Sequence, residues 1–235
     1  VLSAATYRAD KIPNPIMKSL KGQAPNNMGK IIGVDFDNTL VNYDELLHAV
    51  AIERGLIRKN VRKNKKTIRD VIRQLPDGEI DWQRLQAILY GPRMKEATLA
   101  EGATAFFKLC KMHQAPVYII SHKTEYAAYD ETGTNLRTAA MDWMREHDFF
   151  KAQGLGLSPR DVYFASTRQE KIDQIRQRRC THFIDDLEET FLEDSFPDNV
   201  ERILYSPHPP RSSLSNARVF AAWKDISDDV FGTKD

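Results

Sequence analysis

Short apolar runs rich in β-branched and aromatic residues recur along the chain: Ile31-Ile-Gly-Val-Asp-Phe, Val117-Tyr-Ile-Ile, Val162-Tyr-Phe-Ala, His182-Phe-Ile and Arg202-Ile-Leu-Tyr. Each is too short for a helix and has the composition of a buried strand. Longer stretches at residues 103–112, 134–147 and 170–179 lie between them, with apolar positions spaced for one helix face. Strands alternating with helices predict a parallel sheet covered on both faces and joined by right-handed crossovers. The expected fold class is α/β, a Rossmann-like three-layer core around a central parallel sheet.

One interval breaks the alternation. About 80 residues separate the first run from Val117, far more than one crossover helix needs. Three amphipathic segments fall inside it, at 44–54 (Leu46, Leu47, Val50, Ile52), 63–75 (Ile68, Val71, Ile72, Leu75) and 81–89 (Trp82, Leu85, Ile88, Leu89). Pro76-Asp-Gly and Gly91-Pro supply the turns. Residues 42–98 thus read as a small helical insert above the sheet, and 28–41 with 99–235 as the core. Residues 1–27 carry turn chemistry, Lys11-Ile-Pro-Asn-Pro and Gln23-Ala-Pro-Asn-Asn, and read as an irregular extension outside the fold.

Composition narrows the picture. Lysine and arginine number 34 against 33 acids, a net charge of +1, which argues against coating by nucleic acid or an anionic membrane. Cys110 and Cys180 have no CxxC partner, so neither a disulfide framework nor a zinc knuckle is signalled. That usage suits a reducing cytoplasm. No apolar run approaches the roughly 18 residues of a membrane span, and residues 1–6 lack the apolar stretch of a secretory leader.

Candidate chemistry gathers after the predicted strands, where open α/β sheets bind ligands. Asp35-Phe-Asp37-Asn-Thr39 follows the start of the first run; carboxylates two residues apart share a face while extended geometry lasts. Ser121 follows the second run, where a hydroxyl and its backbone N–H can hold a phosphoryl oxygen. Lys171 begins the stretch after Thr167 and can neutralise an anion. Asp185 and Asp186 end the fourth run. Two acids directly after a buried strand are costly unless a hard cation or hydrogen bonds compensate them. Taken singly, each motif also has a plain structural reading: a turn, a serine cap, a solvated lysine, a turn with one exposed acid.

Together and in this order, the four motifs resemble the haloacid dehalogenase (HAD) superfamily, in which DxDx[TV], a Ser or Thr after a strand, a Lys and an acidic pair succeed one another. The resemblance covers residues 30 to about 206, with the 42–98 insert where the family's C1-type cap lies. It implies an Asp35 nucleophile, an Asp37 general acid that later activates water, and a phosphoryl group held by Ser121 and Lys171 with Thr39 in support. It also implies a Mg²⁺ ion on Asp35, the main-chain carbonyl of Asp37, and Asp186. Asp185 would act through water or behind the ligands, and the acidic pair can be assigned the other way. An acid at position 37 favours phosphoryl transfer over carbon–halogen cleavage, because an alkoxide leaving group needs a proton and a halide does not.

The expected function is Mg²⁺-dependent hydrolysis of a small phosphorylated metabolite through an aspartyl-phosphate. One alternative is a phosphatase of nucleotides or polynucleotide ends, and another is a non-catalytic phosphate-binding or regulatory module on the same fold. The nucleic-acid reading draws on the basic run Arg58, Lys59, Arg62, Lys63, Lys65, Lys66, Arg69 and Arg73. That run itself reads as a solvated helix face, so neutralising Lys63, Lys65 and Lys66 is expected to be nearly silent for a small substrate. His122 and Lys123, directly after Ser121, are candidate substrate contacts.

Overall fold

A six-stranded sheet forms the centre of the molecule, in a computed structural model that describes residues 29–130, 132–207 and 216–232. The expected extension at 1–27 lies outside the described residues. Numbered along the chain, the sheet comprises β1 (Ile32–Val34), β4 (Val117–His122), β5 (Val162–Ala165), β6 (His182–Asp185), β7 (Glu201–Tyr205) and β8 (Arg218–Phe220). They stand in the order β5-β4-β1-β6-β7-β8, and every pairing is parallel. A separate antiparallel pair is made by β2 (Val41–Asn42) and β3 (Thr98–Leu99). The α/β class and the central parallel sheet are as the apolar runs predict.

Strand alternation sorts the core into two layers. Val34, Ile119, Ile184 and Ile203 join a cluster with Phe106 of α4 (Ala103–Met112), Trp143 of α5 (Leu136–Glu146) and Trp223 of α8 (Trp223–Phe231). Ile120, Phe183 and Leu204 face the other way, against Ile172 and Ile175 of α6 (Arg168–Gln177) and Phe191 of α7 (Glu188–Phe191). Gly33 is needed where β1 passes β6. A Cβ there would lie 2.5 Å from the Phe183 ring, so only glycine lets that ring cover the strand.

The long interval after β1 holds α1 (Asp44–Glu53), α2 (Lys65–Ile72), α3 (Gly78–Tyr90) and a 3₁₀ turn (Met94–Glu96). The second helix begins two residues later than its apolar pattern suggested. Asn64 sets that start by accepting from the Thr67 amide at 2.7 Å. The pairs Val41↔Leu99 and Asn42↔Thr98 bring the two ends of the segment together. Leu47, Val50, Ile68, Ile72 and Leu85 belong to the same apolar cluster as Val34 and Trp143, so the insert packs directly on the core. The Trp143 indole N–H donates to the Ala97 carbonyl at 3.0 Å at that junction. Cys110 and Cys180 are buried and unpaired, and burial pushes both thiols up to about 12. No helix among the described residues is long and apolar enough to cross a membrane.

Candidate active site

Strand register brings the first acids together. Val34 pairs with Ile184, so the next residues, Asp35 and Asp185, stand level at the carboxyl ends of β1 and β6. The Asp35 amide donates to the Ile184 carbonyl at 2.8 Å, which extends the pairing one step. Both carboxylates meet the α6 side. There Lys171 Nζ donates to Asp35 Oδ1 and to Asp185 Oδ2, each at 2.7 Å. Thr167 caps α6 by accepting from the Glu170 amide at 3.1 Å, and this places Lys171 in the first turn, beneath the strand ends. Burial pulls the Lys171 ammonium down, but Asp185 and Asp35 outweigh it and hold the lysine charged above its ordinary range. Burial raises the Asp35 carboxyl to about 7 against the pull of Lys171, with Asp185 and Asp186 adding to the rise.

Asp186 follows the alternation to the opposite side. It accepts from the Thr39 hydroxyl at 3.5 Å through Oδ1, and Lys65 Nζ of α2 lies 3.5 Å from its Oδ2. Burial raises its carboxyl to about 6, with Lys65 opposing and Asp185 reinforcing the shift. One carboxylate oxygen from each of Asp35, Asp185 and Asp186 falls within 4.8 Å of the others. Three hard oxygen donors this close fit a small divalent cation that keeps several waters. The two members of the acidic pair differ in what they have left to offer. Asp185 has both oxygens engaged, by Lys171 and by the Leu187 amide at 3.1 Å. Asp186 has, among the described residues, two longer contacts at 3.5 Å.

Asp37 sits in the turn after β1, where the Leu40 and Val41 amides both donate to the Phe36 carbonyl at 3.0 Å. The turn needs a left-handed residue, and Asn38 takes it with φ +62°. Asp37 is gripped at both oxygens. The Tyr43 hydroxyl donates to Oδ1 at 2.7 Å, and Lys123 Nζ lies 2.9 Å from Oδ2. The Lys123 approach is off hydrogen-bond geometry. Charge attraction and the Tyr90 ring, whose centroid is 4.9 Å away, therefore hold this buried ammonium.

The structure thus gathers Asp35, Thr39, Lys171, Asp185 and Asp186 in one group and joins Asp37 with Lys123 and Tyr43 in a second, close enough for Asp35 to act electrostatically on Tyr43 and Asp37 on Lys65. Ser121 is buried at the carboxyl end of β4, next to β1 in the sheet. His122 is not brought to the group: it is exposed, and its ring nitrogen lies 3.1 Å from the Ser166 carbonyl. Two members escaped the sequence reading. Tyr43 follows the short strand β2, and its only local signal is a spacing of six residues from Asp37. Lys65 reaches Asp186 across 121 residues of chain, which no local pattern reveals.

Beside Asp186 opens a cavity of about 320 Å³, walled in part by Asn38, Tyr43, Lys65, Lys66, Arg69 and Leu187, with Glu188 and Glu189 also in its wall. Asp35 is not in that wall. The basic run is accordingly not one solvated face. Lys63 is paired with Glu45 at 2.7 Å and Arg73 with Glu79 at 2.6 Å on the outside, whereas Lys65, Lys66 and Arg69 border the cavity.

No protein-family model matches the sequence, and no curated protein matches it either. Solved structures do. A HAD family hydrolase from Deinococcus radiodurans with bound phosphate and sodium superimposes with a TM-score of 0.52 at 15% identity, over 86% of this chain and 94% of that one. A HAD-superfamily hydrolase of subfamily IA from Geobacter sulfurreducens gives 0.51 at 14% identity, over 88% and 100%. A HAD-hydrolase from Bacillus subtilis bound to magnesium gives 0.51 at 12% identity, over 87% and 99%. The fold of this chain is the HAD-like α/β fold.

Proposed function

We propose that this chain hydrolyses a phosphomonoester, with Mg²⁺ as its cation and a covalent aspartyl-phosphate on Asp35. The observation that carries the reading is the setting of Asp35, a buried carboxylate bonded to one lysine and within 4.8 Å of oxygens from two further carboxylates. The magnesium and phosphate bound in proteins of the same fold support the choice of cation and of transferred group.

Asp35, Asp186 and the main-chain carbonyl of Asp37 would hold Mg²⁺, with Asp185 behind them. Bound there, the ion would neutralise the phosphoryl oxygens and orient them. Lys171 fixes the Asp35 carboxylate and, with Ser121, holds the phosphoryl group; Thr39 steadies Asp186. In the first half-reaction an Asp35 oxygen bonds to phosphorus, the phosphorus–ester oxygen bond breaks, and Asp37 gives its proton to the departing oxygen. In the second, Asp37 takes a proton from water, the water oxygen bonds to phosphorus, and Asp35 leaves with its electron pair to release inorganic phosphate. Tyr43 and Lys123 keep Asp37 in the pose that both steps use. Residues 42–98 act as a cap that reads the leaving group, and the two unpaired buried thiols suit a cytoplasmic setting.

A small phosphorylated metabolite is the favoured substrate. Lys65, Lys66 and Arg69 favour a second reading, a nucleotide, but Glu188 and Glu189 in the same cavity wall oppose a highly charged leaving group. Turnover of nitrophenyl phosphate that requires Mg²⁺ and disappears in Asp35→Asn is the expected result. A panel of sugar phosphates, nucleotides and phosphorylated oligonucleotides then ranks the substrates. Turnover that survives chelation, or survives Asp35→Asn, would overturn the proposal.

A further inference from the structure

Resting on that reading and going beyond it, we propose that Lys65 is a phosphate-binding cation on the insert that Asp186 holds in reserve. Cation binding at Asp186 and phosphate binding at Lys65 would then strengthen one another.

Lys65 is the first residue of α2, and the start of that helix is firmly placed. Asn64 caps it, and the Lys65 amide donates to Asp44 Oδ1 at 3.0 Å. From this anchor the side chain crosses to the core, where its ammonium stands 3.5 Å from Asp186 Oδ2. Charge-assisted N–H···O bonds settle at roughly 2.7–2.9 Å, so this contact is loose. The Lys171 bonds, at 2.7 Å, are not. Lys65 also differs in its surroundings. Its side chain keeps 27% of its surface and lines the cavity, against 2% for Lys171. The ammonium therefore has a carboxylate on one side and the cavity on the other. Its neighbours do not share that position: Lys63 is engaged by Glu45, and Lys66 borders the cavity without an ion pair to Asp186 among the described residues.

A divalent cation on Asp186 and the Lys65 ammonium compete for one carboxylate. Binding of the ion weakens the hold on Lys65, and the side chain is then free to meet a phosphoryl group in the cavity. The reverse also holds, because a phosphate that draws Lys65 away leaves Asp186 open to the ion. Linkage makes the two effects equal in size. If Lys65 were merely structural, its removal would not shift the two affinities in opposite directions.

The test is calorimetric titration of the full chain with Mg²⁺ alone, with inorganic phosphate alone, and with each in the presence of the other. Wild type is compared with Lys65→Met, Lys65→Arg and Lys63→Met, with thermal unfolding run on all four. A unit charge at contact distance changes affinity on the order of fivefold even under full water screening, so fivefold is the least expected at this partly buried pair. Lys65→Met should therefore bind Mg²⁺ alone at least about fivefold more tightly and bind phosphate at least about fivefold more weakly. Opposite signs for the two ligands are the signature. Lys65→Arg should keep phosphate binding near wild type, and Lys63→Met should match wild type throughout. The inference is overturned if folded Lys65→Met binds Mg²⁺ no more tightly than wild type, or binds phosphate equally well. If wild type itself binds no Mg²⁺, both this inference and the assigned reaction fall. If wild type binds both ligands and Lys65→Met is indifferent, only this inference falls.

Discussion

Two lysines from two regions of the molecule meet the same cluster of carboxylates, and they do so on different terms. Lys171 comes from the core, is buried, and bonds Asp35 and Asp185 at 2.7 Å each. Lys65 comes from the insert, is partly open to the cavity, and meets only Asp186, at 3.5 Å. Strand parity produces the difference. Asp185 shares the face of Phe183, toward α6, and Asp186 shares the face of Ile184, toward the insert. One countercharge is thus fixed by the sheet, and the other is supplied by a segment outside it. The pair separates what the fold makes permanent from what a ligand can rearrange.

The largest expected effect tests the fixed side. Asp35→Asn should lower kcat by about three orders of magnitude or more while the protein stays folded, since an amide is not a comparable nucleophile. Stopped assays with purified variant check it, and substantial residual turnover would move the nucleophile elsewhere.

Lys171→Met should be costly in a second way. It leaves Asp35 and Asp185 facing each other without their cation, and breaking a buried pair costs about 3–5 kcal/mol. Denaturant unfolding measures this loss. A loss below about 1 kcal/mol, the range of exposed ion pairs, would place Lys171 on the same footing as Lys65 and erase the contrast.

The two acids of the pair should part company. Asp185→Asn should reduce stability more than Asp186→Asn, because Asp185 holds Lys171 and the Leu187 amide. Asp186→Asn should weaken Mg²⁺ binding more than Asp185→Asn. Titration and melting of both variants give a crossed pattern, and one variant worse on both counts would contradict it.

A smaller effect concerns pH. Without the ion, burial foremost holds Asp35 up at about 7 and Asp186 at about 6. An acid whose folded value is raised adds stability that is full below its unfolded value of 3.8 and is lost as pH climbs through 6 to 7. The ion needs the ionised carboxylates, so the rise in Tm produced by Mg²⁺ should be larger at pH 8 than at pH 5. Equal rises at the two pH values would mean that these carboxyls are not the ones the ion engages.

What the sequence disclosed follows the same division. The core acids were legible because each stands at a strand end, whereas Lys171, locally an ordinary helix-start lysine, was legible only from its place in the order of the four motifs. The apolar runs located five of the six sheet strands. They did not reveal β8, whose three residues are partly or mostly exposed and too few to show alternation. Helices α7 and α8 were also passed over; α7 has only four residues, and α8 carries Lys-Asp-Ile-Ser-Asp-Asp between its apolar anchors. The roles of Tyr43 and Lys65, and the Tyr90 ring over Lys123, depend on how the insert lies against the core. A basic run of uniform composition gave no sign that Lys65 and Lys63 have opposite fates.

The short stem of β2 and β3 has a consequence in time rather than in space. β1 and β4 are neighbours in the sheet, yet the whole insert lies between them in the chain. Pairing Val41 with Leu99 short-circuits that connection and leaves roughly a third of its length to be closed. The closure entropy then falls by about 1 kcal/mol. A chain that zips its stem early reaches the β1–β4 pairing faster than the bare separation allows. Substitutions that loosen the stem should therefore slow refolding while leaving unfolding nearly untouched.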